Sequence, residues 1–249
     1  MFANWQEVLF RHLKLYHYPV GIRFHWQEES LDQIKVDKVC RNRLTFCQFV
    51  AFTRMSGYST LISPGAISCV TAADVFGLRP DKEKCLKALK KFFPQEDPAQ
   101  AFYQQRPRLS PQELKGISLW PLDKLPFKAD LVLLVCDNLQ ATHLLDDTIA
   151  VSGQASLPFA HKVNGAFCGT AVSAYKHKRV ELSLACPGAY TSGKMERGEL
   201  ILCFPWEIFE KVIDRLQERA IRQGASLLSG SRDYVGLDVC GNCPLMIFK

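Results

Sequence analysis

Two stretches of this chain, residues 40–75 and 136–175, read as one unit written twice, and a repeated unit narrows the folds open to it. At an offset of 96, Cys40 falls on Cys136, Asn42 on Asn138, Ser56-Gly57 on Ser152-Gly153 and Leu61 on Leu157. At an offset of 99, Cys69, Thr71 and Ala72 fall on Cys168, Thr170 and Ala171. The change of three residues lies between a strand and the second cysteine, where a turn absorbs it. Each copy then runs helix, glycine stop, strand, turn, cysteine, helix. The expected fold class is α+β (mixed α/β): a single domain over residues 1–249, made of two pseudo-symmetric halves with a mixed sheet and packed helices. A pseudo-two-fold axis between the halves brings Cys69 and Cys168 near one another.

The flanking segments fit around this unit. Trp5, Val8, Leu9, His12, Leu13 and Tyr16 recur at helical spacing, closed before Pro19, and residues 19–26 alternate as a strand does. Leu44, Cys47, Ala51 and Met55 share one helix face, and Gly57 follows where a left-handed C-terminal residue belongs. Residues 58–63 read as a strand, and Cys69 opens a short helix. Asp81 caps a helix reaching to residue 93. Residues 94–116, with Pro94, Pro98, Pro107 and Pro111, read as the connection between the halves, pinned by Phe102 and Tyr103. The apolar run 131–136 is a strand covered on both faces, and residues 180–185 alternate. A further strand at 200–204 leads into a helix with Pro205 at its first position. Ile208, Phe209, Val212, Ile213 and Leu216 are its inner stripe and Gly224 its stop. The tail from 236 to 249 reads as ending in a strand.

Composition excludes several classes of function. The net charge of +6 is mild and no block of like charges occurs, so a nucleic-acid partner is not expected. The N-terminus lacks the pattern of a secretory signal and the apolar runs are far too short to cross a bilayer. A cytoplasmic location without a membrane partner follows, and the ten cysteines are then expected to be reduced. Reduced cysteines in such number serve as buried thiols, metal ligands or redox sites.

Cys69 and Cys168 both stand at predicted helix starts, where backbone N–H groups ease formation of the thiolate that binds metal or attacks electrophiles. Cys186, at a strand end before Pro187-Gly188, and Cys47, on a helix face, are further candidate ligands. Cys240 and Cys243, in a Cys-x-x-Cys-Pro motif, supply two of the four ligands a structural zinc takes and are the weaker candidates. Only six residues follow Cys243, too few for a thioredoxin-like helix. Gly188 to Lys194 imitates a phosphate-binding loop, but Met195 stands where a magnesium-holding hydroxyl belongs, so no nucleotide is expected. The six histidines show no metal spacing, no hydrolase or dinucleotide motif appears, and Asp146 and Asp147 read as solvent-facing.

Three stretches in this order resemble domain-of-unknown-function family 169, a prokaryotic group without an established activity. They are Pro19-Val20-Gly21-Ile22-Arg23-Phe24, the Cys47-Gln48 helix leading to Cys69-x3-Ala73, and the segment from Gln140 through Cys168 to Cys186-Pro187-Gly188-Ala189. The resemblance spans about 19 to 224 and implies a single cysteine-bearing domain, with no catalytic residue to carry over and no counterpart for the Cys240–Cys243 motif. The first expectation is therefore a protein binding a metal or iron–sulfur cluster through Cys69, Cys168, Cys186 and Cys47 at the junction of the halves, with an iron–sulfur cluster or zinc as cofactor. The alternatives are an enzyme using a cysteine nucleophile on a small molecule between the halves, and a non-catalytic binding or scaffold module. A small molecule or a redox partner is the expected company; the oligomeric state is open.

Overall fold

A computed structural model describes residues 2–40, 42–111, 113–153 and 163–223. Helix α1 (Phe2–Leu13) leads to strand β1 (Val20–Trp26), then α2 (Phe46–Ser56), β2 (Thr60–Ile62) and α3 (Val70–Val75). Helices α4 (Lys82–Leu89) and α5 (Glu96–Gln105) precede β3 (Leu114–Pro121) and β4 (Leu131–Cys136). The chain continues through α6 (Asn138–Ser152), α7 (Ala166–His177), β5 (Glu181–Ser183), α8 (Pro187–Thr191), β6 (Leu200–Pro205) and α9 (Trp206–Gln223).

The strands form one six-stranded sheet in the order β2-β3-β1-β4-β6-β5, and every pairing is antiparallel. The expected α+β class holds, but the sheet is not mixed. Strand β3, which lies between β2 and β1, was not foreseen, because Lys115, Gly116 and Ser118 break its apolar pattern.

Alternation along the strands sends side chains to two faces. Val20, Ile22 and Phe24 of β1 join Leu131, Leu133 and Val135 of β4 and Ile201 and Cys203 of β6 on the first face, under residues of α2, α3 and α7. Val132, Leu134, Cys136, Leu202 and Phe204 point to the second face, under α1, α6 and α9. Three layers result, and β4 is apolar throughout because both of its sides are covered. Helix α9 lays down the expected stripe of Phe209, Val212, Ile213 and Leu216. Pro205 ends β6 instead of opening the helix, and Gly224 and the tail from 236 lie outside the described residues.

Helices α2 and α6 share their ends. Each starts with a capping box (Thr45 with Gln48, Asp137 with Gln140), which satisfies two backbone donors reciprocally. Each stops at a left-handed glycine, Gly57 at φ 66° and Gly153 at φ 68°. Outward from the centre, the strands also correspond, β1 with β4, β3 with β6, β2 with β5. The helices do not follow. α2 covers the first face and α6 the second, whereas α3 and α7 share the first. One two-fold axis treats both pairs alike, so the pseudo-symmetry of the halves is not shown. Cys136 ends β4, but Cys40 stands in irregular chain before α2, and the strand expected near Leu157 lies outside the described residues.

Residues 94–116 are not a simple connection. They contain α5 and the start of β3, with Tyr103 buried and Phe102 packed beside it in a small cluster with Cys85 and Leu89. The chain crosses from the β1–β3 side to β4 through residues 122–130.

Two core thiols make this packing testable. Burial pushes the Cys136 and Cys203 thiols far above the usual range, so both stay protonated in the folded chain. The unfolded chain ionises them near pH ~8.5, so stability is intact below that pH and falls as pH rises past it, by up to about 1.4 kcal/mol per pH unit for each thiol. Denaturant titrations between about pH 8 and pH 10 should show a shallower decline for Cys136→Ala/Cys203→Ala than for the parent. Parallel declines would contradict this assignment.

Candidate functional site

A short parallel bridge between Leu44 and Ile67 joins the approaches to α2 and α3. Leu44 N–H donates to the Ala66 carbonyl at 3.0 Å, and Ser68 N–H donates to the Leu44 carbonyl at 2.8 Å. Cys47 follows in the first turn of α2, and Cys69 is the N-cap of α3. Helix α7 starts beside them: Asn164 Nδ2 donates to Thr71 Oγ1 at 3.1 Å, and Cys168 is its third residue. Cys186 is the N-cap of α8, with Pro187 at the first position, where its missing N–H leaves nothing unpaired. Four cysteines thus stand at four helix starts, and α7 packs against α2, α3 and α8.

The spaces beside two glycines measure how closely the thiols gather. A Cβ placed on Gly188 lies 3.8 Å from Cys186 Sγ and 3.9 Å from Cys47 Sγ, so those sulfurs are no farther apart than the two contacts end to end. A Cβ on Gly165 lies 3.6 Å both from Cys168 Sγ and from Thr71 Cγ2 of α3. Burial raises the Cys168 thiol well above its usual range; negative charge on Cys69 and Cys47 raises it further, against a lowering by Arg106, and Cys186 adds a smaller rise. Cys47 is raised likewise, by burial first and then by Cys186 and Cys69. Cys168 and Cys186 are 3% exposed, while Cys47 and Cys69 are half-buried on the outer side. The sequence-chosen set of Cys47, Cys69, Cys168 and Cys186 is brought together. Among the described residues, no three His, Cys, Asp or Glu side chains are arranged to grip a metal ion as they stand. Cys240 and Cys243 lie outside the described residues.

A buried arginine ties α2 to the exit of α8. Arg54 of α2, 1% exposed, donates through Nη2 to the carbonyls of Gly193, at 3.1 Å, and Lys194, and its Nη1 lies 3.9 Å from Glu199 Oε1. Burial lowers its pKa, and Glu199 and Glu196 pull it back up. The stretch that imitates a phosphate loop is therefore α8 and its exit. Gly193 presses on Phe167, where a Cβ would come within 2.5 Å of the ring.

Three polar groupings escaped the sequence reading. Asp74 of α3 is buried and accepts from Tyr103 Oη at 3.0 Å and Arg106 Nη2 at 2.9 Å. On the second face, His25 bonds Glu29 through Nδ1 at 2.9 Å and Ser118 through Nε2 at 2.8 Å. That order imitates a hydrolytic triad, but Ser118 is fully buried and unable to reach a substrate. Asp146 is exposed as expected, whereas Asp147 is buried against Arg219 at 2.7 Å. Each partnership spans too many residues, or too plain a spacing, to leave a sequence signal.

An antiparallel sheet between two helical layers, with four thiols gathered at helix starts on one face, defines a cysteine-bearing α+β domain. The chain belongs to DUF169, described as Uncharacterised ArCR, COG2043, which matches residues 8–215. The matched span holds all four gathered cysteines and ends before Cys240. No curated protein and no solved structure matches the chain. Among the described residues, no helix is long and apolar enough to cross a membrane.

If Arg54 fastens the Cys186 segment to α2, Arg54→Ala should cost about 2–4 kcal/mol by leaving buried carbonyls and Glu199 without their cation. It should also speed alkylation of Cys186 by iodoacetamide, read by peptide mass spectrometry. Unchanged alkylation in a folded variant would refute that fastening.

Proposed function

We propose that this protein binds an iron–sulfur cluster through Cys47, Cys69, Cys168 and Cys186. The observation that carries the reading is the meeting of four thiols from four separate helix starts in one half-buried place. Burial first, and then the neighbouring thiols, raise the Cys47 and Cys168 thiols above their usual range, and a bound cationic centre would offset that cost. Four cysteine ligands suit either an iron–sulfur cluster or a zinc ion. Zinc–sulfur bonds of about 2.3 Å would draw four sulfurs to roughly 4 Å apart. A cluster interposes its own iron and sulfide between the ligands and so suits thiols standing farther apart. The first N–H groups of α7, which have no side-chain cap, favour the negative charge of a thiolate-bound cluster.

The reading implies a reducing compartment such as the cytoplasm, and a redox partner or small molecule meeting the outer side at Cys47 and Cys69. The cysteine-nucleophile alternative is weakened at Cys47 and Cys168, because a thiol whose pKa is raised carries little thiolate at neutral pH.

Anaerobic reconstitution of the full chain with ferrous iron and sulfide tests the proposal. The expected result is brown protein with iron and sulfide in stoichiometric amounts, lost on Cys→Ser substitution at 47, 69, 168 or 186 and kept in Cys136→Ala and Cys203→Ala. Uptake of zinc without sulfide would replace the cluster with a single-ion site. Folded protein that takes up no metal would overturn the reading.

A further inference from the structure

Beside Cys69 a second site opens. A cleft of about 450 Å³ lies between the approach to α2, the ends of α3 and the start of α4, and Arg43, Ser68, Val70, Arg79, Asp81 and Lys84 line it. Its volume falls within the range of small-molecule sites. Arg43 Nη2 donates to the Ile67 carbonyl at 3.3 Å, and Arg79 Nη2 donates to that same oxygen. Two guanidinium groups sharing one acceptor stand side by side, and like charges at that separation repel. Among the described residues neither has a carboxylate within ion-pair distance. Asp81 is committed to Lys84 at 2.8 Å. The cleft wall therefore carries three cations against one carboxylate. Each arginine has one described acceptor for the five donors of its fork.

We propose that this cleft binds the oxyanion group, carboxylate or phosphate, of a small molecule, with Arg43 and Arg79 as its two-armed clamp. Both side chains are exposed, so water meets their remaining donors; an oxyanion relieves the repulsion between the two guanidinium groups and replaces that water with acceptors in the forked geometry arginine matches. Ser68 and Val70, on the cleft wall, are the chain neighbours of Cys69. The rest of the bound molecule thus lies next to the outermost thiols of the site described above. The clamp itself does not depend on a cluster: Ile67 is placed by the Leu44–Ile67 backbone bridge, in which no cysteine takes part.

The test uses the full-length, reduced, metal-free protein, so that it stands apart from the cluster reading. Inorganic phosphate and, separately, succinate are titrated at low ionic strength by calorimetry, with sodium chloride of matched ionic strength as reference. Saturable binding of at least one is expected, weakened by about tenfold or more in Arg43→Gln and Arg79→Gln. Arg43→Lys keeps the charge but not the fork and should fall between. Lys211→Gln, on the exposed side of α9, should bind as the parent does. The bound anion should also slow alkylation of Cys69 relative to Cys186. The proposal is overturned if chloride reproduces the heat, if folded Arg43→Gln and Arg79→Gln bind normally, or if poly-glutamate binds where phosphate and succinate do not. That last result would make the cleft a docking surface for an acidic polypeptide. Loss of iron binding with the clamp intact would defeat only the cluster.

Discussion

The close packing of helix α7 is the constraint on which the first face depends. Every residue from Ala166 to Ala174 is buried, so over these residues the helix has no side turned to water, and only its last turn emerges. A helix enclosed on all sides has to be built of small and apolar residues, and Gly169, Ala171 and Ala174 keep it narrow. That narrowness lets α2, α3 and α8 reach it together, and each of them brings a cysteine at its start. The thiols meet because the helix between them is thin.

Two buried charge systems hold this arrangement at its margins. Asp74, five residues beyond Cys69, is tied to Arg106 and Tyr103, and through them α5 braces α3. Arg54 does the same on the other margin, drawing the exit of α8 towards α2. Buried ion pairs contribute little net stability, since desolvation cancels most of the attraction, but losing one partner is costly. Such pairs therefore fix positions more than they add stability. They flank the thiols on both sides.

What the sequence revealed of the fold depended on whether a residue's partner was local. The glycine stops and the doubly buried β4 answer to their own local pattern and were legible, whereas the capping boxes of α2 and α6 went unread although their partners are three residues apart. Strand β3 was not legible, because Ser118 looks like a solvent position until His25, on the adjacent strand, takes its hydroxyl. Helix α5 was hidden by Pro98, which reads as a breaker. Here it occupies the first turn, where its missing N–H removes no helical bond.

The site was legible for a reason other than the one that forms it. Cys69 and Cys168 were paired by a presumed symmetry, yet α2 and α6 lie on opposite faces while α3 and α7 share one. The two cysteines meet because α3 packs directly on α7, pinned by Asn164 and Thr71. What the two copies do share is local: a cysteine at a helix start, followed by Thr and Ala small enough to be buried. That local likeness sends both helices to the same apolar face without any axis relating them. Cys47 and Cys186 join them through the Leu44–Ile67 bridge and the reach of Arg54, contacts that no spacing in the sequence records. A motif found twice in a chain thus marks two segments with the same burial requirement, and a common core is enough to bring them together.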